Sequence, residues 1–179
     1  MPTASVDPSP RRPLRQWLHW PLAAAVLALP ALAMRFTDEV DWSLSDFLVM
    51  GALLSAVCLA WEAALRGPRR IAWRAASGLA ILTGFLTVWA TLAVGLVGGA
   101  VDIAFPVLVA AVASVALAVG RHAGRLAVLM ATAGCVHALV LGLASAAGMP
   151  APWQAGAFVI GWLAAAGLFS RCVSASKAG

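Results

Sequence analysis

Three groups of side chains in this sequence have types and spacings that can do chemistry. Thr83, Thr87, Thr91, Gly95 and Gly99 recur every fourth position. At 3.6 residues per turn they follow one slowly drifting stripe of a helix. Hydroxyls and glycines in such a stripe let a second helix approach closely and form interhelical hydrogen bonds. The same stripe would also serve as the wall of a polar path, and its hydroxyls can bond back to carbonyls one turn earlier. Gly134, Ala138 and Gly142 make a matching small-residue row further along.

His137 is the ionisable group nearest the middle of an apolar run. Charge is expensive in hydrocarbon, so such a residue is a functional candidate. A neutral imidazole costs much less and can donate to a threonine of the stripe. Ligand binding, proton relay and structural hydrogen bonding all stay open. His19 and His122 stand near the ends of their runs, at another depth, which speaks against bis-histidine haem.

The third group is acidic: Asp38, Glu39 and Asp41, with Trp42 and Asp46 just beyond. Phe36 and Trp42 suit a membrane interface and would hold the segment there, where carboxylates can meet a basic partner or a cation. Ordinary loop polarity is the competing reading. Asp46 fits the first turn of a helix, Glu62 lies one turn before Arg66 as an ion pair, and Asp102 reads as a cap. Asp46 and Glu62 are separated by 16 residues, roughly 24 Å along a helix, too far to act as a carboxylate pair.

No other catalytic constellation emerges. Cys58 and Cys135 lie in apolar runs, Cys172 follows Arg171, and there is no Cys-x-x-Cys pair or His/Cys cluster. Phosphate-binding Gly loops, serine elbows and metal-spaced histidines are missing as well. The sequence assigns no catalytic residue, metal or cofactor, and leans away from an enzyme.

The elements that must position these groups are apolar helices. The chain is 63% hydrophobic and 11% charged, whereas a soluble domain has about a quarter of its residues charged. Strands are excluded, because open edges are not tolerated in lipid and the runs exceed barrel-strand length. A span takes roughly 20 apolar residues. The runs Trp17–Met34, Leu44–Leu65, Ala75–Gly98, Ile103–Val119, Leu126–Ala147 and Trp153–Phe169 predict an all-α polytopic membrane helix bundle with six transmembrane helices. That number becomes five if the first run, with Ala31-Leu32-Ala33 near its end, is a cleaved signal or precedes the true start. Residues 1–16, with four prolines, read as a disordered tail, 17–170 as the membrane domain and 171–179 as a short tail.

Lys and Arg number 12, and all but Arg35 fall in the two tails and the loops after the second and fourth runs. Cationic loops resist translocation, which puts both tails in the cytoplasm if the first run is retained, and the C-terminal tail there in either case. The net charge of +5 is spread over these segments and is explained by topology, not by nucleic acid. Trp17, Trp20, Trp61 and Trp73 would mark the inner interface, Trp42 and Trp153 the outer one, and Trp89 and Trp162 would pack between helices.

From Met34 onward the chain resembles a family of small, uncharacterised bacterial inner-membrane proteins. The resemblance rests on Met34-Arg35-Phe36-Thr37-Asp38-Glu39-Val40-Asp41-Trp42, then Asp46-Phe47, and on the stretch from Trp89 to Gly98. It implies a five-helix core beginning at Met34 and carries no catalytic residues. The chain departs from the family where an acidic, Asn-containing loop is expected, having only Gly99-Ala100-Val101-Asp102. The functional expectation is a non-catalytic accessory or assembly component, with the lipid bilayer and other membrane proteins or a second copy as partners. The alternative is a small oligomeric transporter or channel.

Overall fold

A computed structural model describes residues 18–149 and 153–177. Six helices follow one another: α1 (His19–Ala33), α2 (Leu44–Leu65), α3 (Ile71–Ala93), α4 (Ala104–Val119), α5 (Ala123–Ala146) and α6 (Trp153–Lys177). A short 3-10 turn, Gly99–Ile103, leads into α4. No strand occurs among the described residues. Five segments are long and apolar enough to cross a membrane: α2, α3, α4 with its leading turn, α5 and α6. The first run is helical for only 15 residues, about 22 Å against a hydrocarbon core of about 30 Å. The expected disordered tail, residues 1–16, lies outside the described residues.

The described residues fall into two compact units, one up to Cys58 and one from Leu59 onward. In the first, α1 and the start of α2 run antiparallel: the Cys58 thiol lies 3.7 Å from the His19 carbonyl, and a Cβ on Gly51 would touch Leu27 at 3.6 Å. The start of α2 is set locally. Ser43 N–H and Oγ–H donate to Asp46 Oδ2 at 2.7 and 2.6 Å, and Asp46 N–H donates back to Ser43 Oγ at 3.3 Å. This reciprocal capping box is flanked by Trp42 packed edge-on against Phe47 at 5.3 Å, a hydrophobic staple.

In the second unit α3, α4, α5 and α6 close a ring, with α6 against α5 and α3, and α4 against the same two. Trp73, Leu126, Met130, Phe169 and Cys172 fill the end nearest the Arg-rich loops, while Leu96, Val97, Phe105, Ala144 and Ala155 fill the opposite end. Leu117, Leu139 and Ile160 point outward, as lipid-facing residues do when the surrounding solvent is itself apolar.

Several boundaries differ from the sequence reading. The third run does not stay helical to Gly98: α3 stops at Ala93, and Gly95 and Gly98 take φ of 74° and 93°. The last helix continues past Phe169 to Lys177, so the expected tail is largely helical. Trp73 is no belt residue. It is 3% exposed, stacks edge-on against Phe169 at 5.3 Å and donates Nε1–H to the Ala64 carbonyl at 3.0 Å. Trp89, expected between helices, is 41% exposed.

Candidate functional site

The threonine face is the best-formed candidate. Thr83, Thr87 and Thr91 are buried on α3, and Thr87 is fully enclosed. Gly161 of α6 lies directly over Thr83, where a Cβ would fall on the threonine side chain. One residue along α6, the Trp162 ring passes Gly84 of α3, to which an added Cβ would come within 3.6 Å. Gly134 of α5 receives Leu163, 2.9 Å from where its Cβ would stand. Helix α6 therefore approaches both α3 and α5 on glycines at one level.

The stripe is shorter than its spacing implies. Gly95 and Gly99 lie beyond the end of α3 in left-handed backbone, so they cannot continue a helical face. Two of the three hydroxyls turn back on their own helix: Thr87 Oγ1–H donates to the Thr83 carbonyl at 2.8 Å and Thr91 Oγ1–H to the Thr87 carbonyl at 2.7 Å. The α5 row also divides. Gly134 is buried, whereas Ala138 and Gly142 are exposed, and nothing lies within 4 Å of a Cβ placed on Gly142.

His137 is 0% exposed. Its ring sits 4.8 Å from the ring of Phe105 on α4 and 6.0 Å from that of Phe158 on α6. Neither ring nitrogen has a hydrogen-bond partner in the structure, and Trp162 Nε1 is in the same position. The expected bond from His137 to a threonine of α3 is not formed. The nearest helices present phenyl rings to it, and the Thr87 and Thr91 hydroxyls are committed to carbonyls of α3.

Asp102 is not the helix cap its position suggests, since neither the 3-10 turn nor α4 has a side-chain cap hydrogen bond; it serves the preceding loop instead. Its Oδ1 accepts from the backbone N–H of Leu96 (3.2 Å) and Val97 (2.9 Å), and Oδ2 accepts from Gly98 N–H (3.1 Å). One carboxylate thus gathers the loop after α3 into a nest of N–H groups. Gly95 permits this approach, since a Cβ there would stand 2.8 Å from Asp102 Oδ2. The acidic residue just after a Gly-rich turn was the available signal for this arrangement.

The acidic segment belongs to the first unit. Asp38, Glu39 and Asp41 are exposed, with Glu39 N–H bonded to Thr37 Oγ1 at 3.1 Å. Asp46 and Trp42 are occupied in starting α2. Among the described residues no group of three His, Cys, Asp or Glu side chains could hold a metal ion. The expected Glu62–Arg66 pair is present at 3.9 Å. No protein-family profile, curated protein or solved structure matches this chain. What the fold and these contacts define is a multi-pass helical membrane protein.

Proposed function

We propose that this chain is a non-catalytic accessory or assembly component of the bacterial inner membrane, akin to the family that its Met34–Trp42 motif resembles. It associates with another membrane protein, or with a second copy of itself, through the outward small-residue face of α5. The carrying observation is the division of the α5 row: Gly134 is used inside the bundle, while Ala138 and Gly142 face away from it. Cys135 and Ser145 are exposed on the same sector of the helix. Leaving lipid gives a transmembrane helix no hydrophobic gain, so close approach over small side chains is what favours association. The transporter reading has less support, since α6 covers the face at Thr83 and the Thr87 and Thr91 hydroxyls are engaged with carbonyls of α3. Asp38, Glu39 and Asp41 offer a second contact for a basic partner.

Gly142→Leu tests this reading. The substitution has open space around it, so the bundle should fold as before, while association in mild detergent falls by about tenfold, the equivalent of about 1.4 kcal/mol. Unchanged association, or a wild type that is solely monomeric and captures nothing, defeats the proposal. We assign the basic loops and the C-terminus to the cytoplasm on the distribution of Lys and Arg. A reporter after Lys177 should read cytoplasmic and one between Arg35 and Asp41 external, and the reverse pattern would refute the assignment.

A further inference from the structure

The basic end of the second unit contains an open cleft of about 490 Å³, where the α2–α3 loop, the α4–α5 loop and the end of α6 meet. Arg70, Arg121 and Arg125 line it, with His122 beside them, and Pro68 and Val173 supply an apolar wall. Two of the guanidiniums are tied to the frame. Arg121 Nη1–H donates to the Arg66 carbonyl at 2.6 Å, and Arg70 Nη1–H reaches the Cys172 carbonyl at 3.5 Å. A guanidinium has five N–H donors, so each keeps most of them for another acceptor. Among the described residues the ion pair at this end joins Glu62 to Arg66, and no carboxylate neutralises the three arginines of the cleft.

Backbone polarity at this end is mixed: α2 and α4 close here with their carbonyl ends, one of which Arg121 meets at Arg66, while two other helices start here. Helices α3 and α5 both begin here, and their N-cap residues, Arg70 and His122, make no side-chain cap hydrogen bond. Neither helix has an acidic residue in its first turn. Uncapped N–H groups and the positive ends of two helix dipoles therefore add to the arginines. Such a combination favours a phosphate oxyanion.

We infer that this cleft binds the phosphate of an anionic phospholipid headgroup. Lipid is favoured over a soluble phosphate because the cleft opens at the ends of membrane-spanning helices. There Pro68 and Val173 give an acyl chain or glycerol backbone an apolar surface beside the charged rim, and basic pockets between transmembrane helices are suited to such headgroups. The inference is independent of the α5 contact proposed above.

The test uses the full chain in detergent, with native mass spectrometry reading retained lipid. Phosphatidylglycerol should be retained over phosphatidylcholine. The double variant Arg121→Gln/Arg125→Gln should lose this retention by roughly tenfold or more, as expected when charge-assisted bonds are removed. Arg69→Gln/Arg74→Gln removes the same charge outside the cleft lining and should retain the lipid. Arg125→Gln alone, which leaves the Arg121 tether intact, should still show a measurable loss if the double variant folds poorly. Equal loss in both double variants would overturn the site in favour of diffuse surface charge. Absence of a phosphatidylglycerol preference would overturn the lipid assignment, and so would inorganic phosphate displacing the lipid at equal concentration.

Discussion

Gly134 and Gly142 lie on the same helix and belong to the same small-residue row, yet their surroundings are opposite. A side chain at Gly134 would collide with Leu163, while one at Gly142 would meet nothing. Across the bundle, Gly161 repeats the first case against Thr83. The comparison separates two surroundings of a small residue in a membrane helix: packed against a helix of the same chain, or left open. Residue type does not separate them. Position around the helix does, and that position is set by how four helices close on one another.

The comparison breaks most sharply at Gly161. Replacing it with Leu puts a branched side chain onto Thr83, itself stiff at χ1, and should cost about 3 kcal/mol of stability, read as a large fall in the thermal transition in detergent. A variant as stable as wild type would show that α3 and α6 do not meet there. Next in size is Asp102→Ala, which leaves three N–H groups without their acceptor and should cost about 2 kcal/mol. Asp102→Asn should cost less, since the oxygen corresponding to Oδ1 can still take the Leu96 and Val97 bonds. Equal losses would mean that charge, not geometry, holds the loop. The smallest effect belongs to Gly142→Leu, expected within about 0.5 kcal/mol of wild type, and a larger loss would place that face inside a contact of the folded chain.

Where local chemistry marks an element, the sequence was sufficient. The α2 bounds coincide with those read from the residues, because Ser43 and Asp46 start the helix within a few positions and Gly67-Pro68 ends it. The end of α3 was not legible. Gly95 and Gly99 preserve the four-residue spacing of the threonines, and the departure from helix depends on Asp102, a residue of the following turn. Trp73 shows the same limit. Beside an Arg-rich loop it reads as an interfacial residue, but Phe169, far along the chain, covers its ring. Inward and outward faces are hard to tell apart here because lipid and core are both apolar, so the usual polar face is missing. The cleft arginines were read as orientation signals, since only closure of the bundle brings residue 70 to residues 121 and 125.

The local start of α2 also bears on the order in which the chain matures. Its capping bonds join residues three apart, so this helix end can form while most of the polypeptide is still unsynthesised. The Arg70–Cys172 bond spans 102 residues, and the covers of Thr83 and Trp73 come from α6, which emerges after the other five helices. During biosynthesis α3 should therefore lack its cover at Thr83 until α6 arrives. A chain cut short before α6 would lack that cover permanently, and quality-control proteases should clear it faster than the full-length protein.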